Sequence, residues 1–238
     1  MELCQPHIFA YIGVGRKGAC KMDAGDINAR MGMRRKEVHQ INRQCKEEYE
    51  RYGGIEFLTK YIMSELISPI EDYENVISII RNNYYSQISG EILLIGAYLN
   101  IQWSSSDNEI LQILHSMYPY LPSKEKAIVN YLNAHQIFIK DKDYRRNERY
   151  KTELEKSIEY DVKFVNNHIK MAGLLCEEGA RAHYTVALAN VVEIFDEATE
   201  TDWSFLLTPQ SFIGEFILGT RTSASHYKYI AERCRCAL

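Results

Sequence analysis

The sequence predicts an all-α protein, and three observations carry that prediction. Of the 238 residues, 46% are hydrophobic, which is enough for a packed core. Beyond residue 50 the first apolar residues fall into pairs four or five positions apart, close to a helical repeat. Proline and short polar stretches divide these runs into helices of about 12 to 18 residues, and no series of alternating strands interrupts them.

The first element is the segment Ala24 to Arg43, which has the pattern of two short helices joined by a turn. Ile27 and Met31 are four residues apart and share one face of the first helix. Gly32 follows, where a tight turn needs a residue that tolerates positive φ. Three apolar residues supply the buried side of the second helix: Met33, Val38 and Ile41.

The other faces of this second helix are rich in groups that reach phosphates or base edges. These predicted DNA contacts are Arg34, Arg35, Lys36, His39, Gln40 and Arg43. Residues 16 to 46 contain nine Lys or Arg and three Asp or Glu, a local charge of +6 in a chain of net charge −4. The pattern resembles the helix-turn-helix of phage and bacterial regulators, although Asn28 stands where that family usually has alanine. The resemblance implies docking in the major groove of double-stranded DNA. The alternative is that these charges form the solvated face of a helix in an ordinary bundle.

The helices after residue 50 are delimited by proline and capping residues. The first ends before Pro69, and the next begins near Asp72. Ser89 opens a strongly apolar helix, the polar run SSSDNEI at 104–110 caps another, and Ser123 caps the one that follows Pro122. From Tyr144 a long charged helix is predicted, with an apolar stripe suited to a dimer seam: Ile158, Val162, Val165 and Ile169. A further apolar helix is predicted over residues 182–198.

A weak internal sequence repeat suggests how these helices pack. The residues AYLN at 97–100 and NYLN at 130–133 lie 33 positions apart, and the polar run at 139–150 separates two helices. The pattern resembles the tetratricopeptide repeat, whose period is about 34 residues, and implies stacked helical hairpins. An irregular helical bundle is the alternative, and the fold class is all-α under both.

The sequence favours a binding protein over an enzyme. It has no HExxH, GxSxG or GxxxxGK motif, so no catalytic residue and no cofactor are predicted. GVGRKG at 13–18 fits the GxGxxG order, but without alternating strands downstream we interpret it as a turn leading into the helix-turn-helix. The six cysteines form no CxxC pair, which predicts no metal site and a reducing, cytoplasmic location. No run of about 18 apolar residues occurs, so no membrane span is expected.

Two functions follow from these patterns. In the first, residues 1–52 form a DNA-binding domain, and residues 53–238 form an all-helical domain that dimerises, binds a peptide or protein ligand, or does both. In the second, the chain is a helical adaptor with a weak likeness to tetratricopeptide and 14-3-3 proteins. Its predicted contacts for an acidic or phosphorylated segment are Lys140, Lys142, Arg145 and Arg146. A variant of the second function is a phage-encoded inhibitor of a host protein.

Overall fold

The computed structural model describes residues 24–66, 73–83, 88–103, 108–195 and 208–235, and it confirms the all-α prediction. The helices in chain order are α1 (Ala24–Tyr52), α2 (Ile55–Leu66), α3 (Tyr73–Asn83), α4 (Gly90–Trp103), α5 (Glu109–Met117), α6 (Ser123–Lys140), α7 (Glu148–Tyr160), α8 (Val165–Ala172), α9 (Glu177–Ala189), α10 (Pro209–Phe212) and α11 (Ala224–Arg235). Two 3₁₀ turns (Tyr118–Tyr120 and Tyr144–Arg146) and a π-helical segment (Ile213–Leu218) accompany them. The GVGRKG motif lies outside the described residues.

One short parallel ladder joins two parts of the C-terminal region. Strands β1 (Glu193–Phe195) and β2 (Arg221–Ser223) are three residues each, and Ile194 lies opposite Thr222. The residue before β1 extends the pairing, because the Val192 amide donates to the Thr220 carbonyl at 2.7 Å. This ladder connects the segment that follows α9 to the segment that precedes α11.

Helix α4 is the centre of the core. Every residue from Ile92 to Ile101 is buried, so all faces of this helix contact protein. The packing is close at Gly96, where an added Cβ would lie 3.0 Å from Ile80 of α3 and 3.1 Å from Ile110 of α5. From α1 to α9, helices that follow one another in sequence pack together in space, and α4 also contacts α6. This order is compatible with both a hairpin array and an irregular bundle.

Several predicted helix starts are confirmed, with capping as their physical basis. Helix α3 begins one residue after Asp72. At the start of α4 the Ser89 hydroxyl accepts from the Ile92 amide at 3.4 Å. At the start of α5 the Asn108 side chain accepts from the Leu111 amide at 3.0 Å. Ser123, predicted as a cap, is instead the first helical residue, and Pro122 precedes it without a side-chain cap.

The predicted helix-turn-helix is wrong, because α1 runs without interruption from Ala24 to Tyr52. Gly32 lies inside this helix. A single glycine costs only about 1 kcal/mol relative to alanine in a helix interior, and the strong helix formers on both sides of it carry the helix through. The actual turn is the pair Gly53 and Gly54, with φ of 61° and 86°, conformations that favour glycine.

The long charged helix predicted from Tyr144 is confirmed only over Glu148–Tyr160, since the chain turns before and after that span. Asn147 caps α7 by accepting from the Arg149 and Tyr150 amides at 3.1 and 3.4 Å. Asp161 then ends α7, because its carboxylate accepts from the Lys163 amide at 2.9 Å. Val162, assigned to the apolar stripe, is 59% exposed in that turn.

The helix predicted over residues 182–198 is shorter than expected. Helix α9 spans Glu177–Ala189, and the chain becomes extended at Glu193–Phe195. Val191 and Val192 lie between them, and β-branched side chains favour extended backbone. Among the described helices, none is long and apolar enough to cross a membrane.

Candidate functional site

The predicted DNA contacts lie on the middle of α1. The structure describes four of these side chains, all exposed: Lys36, His39, Gln40 and Arg43. The side chains of Arg34 and Arg35 lie outside the described residues. Val38 is only 2% exposed, as expected for the inner face, and Ile41 is half-buried. Arg43 is engaged within the helix, because its Nε donates to Glu47 at 2.7 Å. These residues therefore form one face of a continuous helix.

The inner face of α1 packs on the helices that follow. The Asn42 amide donates to the Ser64 hydroxyl of α2 at 3.3 Å. Tyr49 stacks on Tyr61 with ring centres 6.2 Å apart, and its hydroxyl donates to Asn83 of α3 at 3.4 Å. These contacts cross the predicted domain boundary between residues 52 and 53.

The second predicted site is a cluster of cations at the turn between α6 and α7, which we call the basic turn. Its members are Lys140, Lys142, Arg145 and Arg146, and all four are exposed. Lys140 ends α6, and the two arginines lie in the 3₁₀ turn that precedes α7. In the part of the chain that the structure describes, no ion pair involves any of them.

The basic turn contains an acidic residue whose carboxylate is used internally. The Asp141 carboxylate accepts from the side-chain amide of Asn147 at 2.9 Å and from the backbone N–H of Asp143 at 2.8 Å. These hydrogen bonds, with the Asn147 contribution the larger, lower the pKa of Asp141 below its ordinary value. This carboxylate organises the turn and neutralises none of the four cations through an ion pair.

The basic turn is held rigidly by backbone and aromatic contacts. The Arg146 amide donates to the Asp143 carbonyl at 2.8 Å, and the Asn147 amide donates to the Tyr144 carbonyl at 3.1 Å. The Tyr144 ring lies edge-on to Phe138 and Tyr150, with ring centres 4.8 and 5.2 Å away. The turn is thus anchored to the ends of both α6 and α7, and its cations are displayed on a fixed scaffold.

Next to the basic turn lies a feature that the sequence did not predict, which we call the aromatic cluster: Tyr98, Tyr131, His135 and Phe138. The His135 ring is nearly parallel to the other three, with centres 5.7 Å from each tyrosine and 6.0 Å from Phe138. Burial, and secondarily the charge of Lys170, lowers the pKa of His135 well below its ordinary value. Two members of this cluster, Tyr98 and Tyr131, are the tyrosines of the two similar segments at 97–100 and 130–133.

A second pair of histidines joins α8 to α9. The Nδ1 atoms of His168 and His183 are 2.7 Å apart, and His168 Nε2 lies 2.8 Å from the Val162 carbonyl. Burial is the main cause that lowers the pKa of both rings. Within the described ranges, no group of three or more His, Cys, Asp or Glu residues has the arrangement of a metal site.

A cavity of about 640 Å³ opens beside the start of α6. Lys124, Tyr160, Lys163 and Phe164 are among its lining residues. No residue that lines it has a buried side-chain nitrogen or oxygen without a hydrogen-bond partner. We therefore take the basic turn as the candidate site.

Comparison of the chain with protein-family models, with curated proteins and with solved structures found no match.

Proposed function

We propose that this chain is a helical binding module for an acidic or phosphorylated peptide segment, which it contacts through the basic turn. One observation carries the proposal. Four exposed cations share one short turn and have no acidic partner among the described residues, while the nearby Asp141 carboxylate is engaged inside the turn. Residues 140–146 contain these four cations and two carboxylates, Asp141 and Asp143, and a surface of net positive charge attracts anionic ligands and repels cationic ones.

The rigidity of the turn supports binding as well as attraction. A ligand that meets preorganised groups loses less conformational entropy on binding than one that must order them. Arg145 and Arg146 can each make two parallel hydrogen bonds to a phosphate or carboxylate, which gives geometric selectivity. Ile139, 39% exposed beside Lys140, adds apolar contact area at the edge of the site.

We favour peptide binding over DNA binding because the main argument for DNA binding was the predicted helix-turn-helix. The structure has one continuous helix in its place. In the continuous helix α1, the exposed residues Lys36, His39 and Gln40 suit an ordinary solvated face, and Arg43 is paired with Glu47. DNA binding, a homodimer and a cytoplasmic location stay predictions from the sequence.

The test uses three fluorescein-labelled peptides that differ only at repeated positions, which carry phosphoserine, glutamate or serine. Fluorescence anisotropy with the full chain is measured at about 50 mM salt and then at rising salt. We expect binding in the order phosphoserine, glutamate, serine, since the charge on each position falls from about −2 to −1 to 0. We also expect affinity to weaken as salt screens the contacts.

Two double variants with the same change in net charge separate the basic turn from general electrostatics. Arg145→Ala/Arg146→Ala is expected to weaken phosphopeptide binding at least about tenfold, because two charge-assisted contacts are lost. Lys151→Ala/Lys156→Ala on the adjacent α7 removes cations that already face Glu155 and Glu153, at 3.7 and 4.0 Å, and should change affinity little. Equal losses in both variants would reject the basic turn as the site.

A further inference from the structure

The cavity beside the start of α6 lies where four segments of the chain meet. Its walls come from the start of α6, the turn between α7 and α8, the chain between α9 and β1, and the chain before β2. Its volume, about 640 Å³, falls in the range of about 300 to 1,000 Å³ that is typical of small-molecule sites. Lys124 and Lys140 lie near opposite ends of α6, about 24 Å apart along the helix axis, so the cavity is separate from the basic turn.

One side of the cavity is apolar. Phe164 and Leu218 line it and are 0% and 6% exposed, so a molecule bound there would contact the edge of the core. Val192 and Tyr160 also line it and are 83% and 39% exposed. Covering such apolar surface with an apolar ligand removes it from water, which favours binding. This side therefore suits an aromatic or branched aliphatic group.

Two lysines give the cavity a positive charge. Lys124 lines it from α6 and Lys163 from the turn before α8, and both are exposed. In the described part of the chain, neither amine forms an ion pair. Asp161 also lines the cavity, but its carboxylate accepts from the backbone N–H of Lys163 at 2.9 Å, within its own turn. These three residues sum to a charge of +1, which complements a ligand with one negative charge.

Hydrogen bonds hold the walls of the cavity in place. His168 Nε2 lies 2.8 Å from the Val162 carbonyl, which belongs to the turn between α7 and α8. The Val192 amide donates to the Thr220 carbonyl at 2.7 Å, which joins the wall after α9 to the wall before β2. Because these walls are ordered before a ligand arrives, binding costs little conformational entropy of the protein.

We propose that this cavity binds a small organic anion with one negative charge on an aromatic or branched aliphatic body. Phe164 and Leu218 contact the body, and Lys124 and Lys163 contact the charged group where the cavity opens to solvent. Both amines donate hydrogen bonds to that group, and hydrogen bonds between ionised groups are stronger than those between neutral ones. This site is independent of the peptide-binding proposal.

The test compares two fluorescent probes with closely related ring systems on the folded full chain. Anilinonaphthalene sulfonate carries one negative charge, and phenyl-naphthylamine is its neutral counterpart. Both become brightly fluorescent when they move from water to an apolar site. We expect saturable binding of the anionic probe. Lys124→Gln/Lys163→Gln should weaken this binding at least about fivefold and should change the affinity of the neutral probe less than about twofold.

A matched control and a blocking variant locate the probe. Arg145→Gln/Arg146→Gln makes the same change in net charge at the basic turn and should leave the affinity of both probes unchanged. Ala189 lines the cavity and is exposed, so Ala189→Trp fills space there and should weaken both probes at least about tenfold. Ala182→Trp, at an exposed position of α9 that does not line the cavity, should have no effect.

Three results would overturn the proposal. The first is an absence of saturable binding of the anionic probe to the full chain. The second is an unchanged affinity for this probe in Lys124→Gln/Lys163→Gln or in Ala189→Trp. The third is an equal loss of affinity in the lysine variant and in the basic-turn variant, because the probe would then respond to net charge rather than to the cavity.

Discussion

Two buried asparagines show how much a hydrogen-bond partner matters at the scale of one residue. Asn108 is 5% exposed and fully used, since its amide donates to the Ala97 carbonyl and its oxygen caps α5. Asn100 is 1% exposed in the middle of α4, and neither its Nδ2 nor its Oδ1 has a hydrogen-bond partner. An unpartnered buried amide carries a desolvation cost that no interaction returns.

Asn100→Leu is therefore expected to stabilise the protein. Leucine has a similar shape and removes the unpartnered polar atoms, so the free energy of unfolding should rise by about 1 to 2 kcal/mol in urea titrations. Asn108→Leu is the matched control and should lower it by about 1 to 3 kcal/mol, because it removes a helix cap and the hydrogen bond to the Ala97 carbonyl. Destabilisation by both variants would mean that Asn100 has a structural role that its contacts do not explain.

The buried His135 predicts how stability depends on pH. Its pKa is lowered by folding, whereas in the unfolded chain it is about 6.5. Below pH 6.5 the unfolded chain binds a proton at His135 that the folded chain does not bind. The contribution of His135 to the free energy of unfolding is therefore present above about pH 6.5 and is lost as the pH falls. Urea unfolding at pH 7.5, 6.5 and 5.5 should show stability decreasing with acidification.

His135→Phe, which keeps an aromatic ring between the tyrosines, should reduce that slope by up to about 1.4 kcal/mol per pH unit. The remaining slope is assigned to three other histidines whose pKa values burial also lowers, His168, His183 and His226. Near and above pH 7 it is also assigned to Lys170, because burial lowers the pKa of this amine to about 7. An unchanged slope in His135→Phe would contradict a neutral, buried His135.

At the scale of elements, local signals predicted where many helices begin better than where they stop. Ser89 and Asn108 mark helix starts because their side chains bond the first free amides. Gly32 was misinterpreted because a glycine permits a turn without requiring one, and the residues around it favour helix. The turn at Asp141 lies in the polar run at 139–150 that was predicted to separate two helices. The Asx turn at Asp161 was missed, because it depends on a single carboxylate meeting a nearby amide.

Alanine substitution at two glycines tests the continuous α1 directly. Gly32→Ala should leave the free energy of unfolding unchanged or raise it by up to about 1 kcal/mol, because alanine favours a helix interior. Gly54→Ala, at φ of 86°, should lower it by about 1 to 2 kcal/mol, although the space around its Cβ is open. If urea unfolding showed the same loss of stability for Gly32→Ala, this result would contradict a continuous α1 and indicate a turn at residue 32.

At the scale of the whole molecule, the all-α class was predictable because it rests on apolar spacing summed over many residues. The basic turn was predictable as a composition, since four cations occur within seven residues. The rigidity of the basic turn was not predictable, because it depends on contacts of Tyr144 with Phe138 and Tyr150 on two different helices. The aromatic cluster and the contact of Lys170 with Phe138 were hidden for the same reason: they assemble from α4, α6 and α8.

Under the proposed function, the basic turn, and not α1, is the surface that binds an anionic partner. The most direct measurement compares two charge-reversed chains, Arg145→Glu/Arg146→Glu and Lys36→Glu/Arg43→Glu, for binding the phosphoserine peptide and mixed-sequence duplex DNA at about 50 mM salt. Both carry the same change in net charge. We expect the first to lose the peptide, the second to keep it, and neither the parent nor the variants to bind DNA. DNA binding by the parent that only the α1 variant loses would contradict this account and return α1 to the role of a nucleic-acid contact.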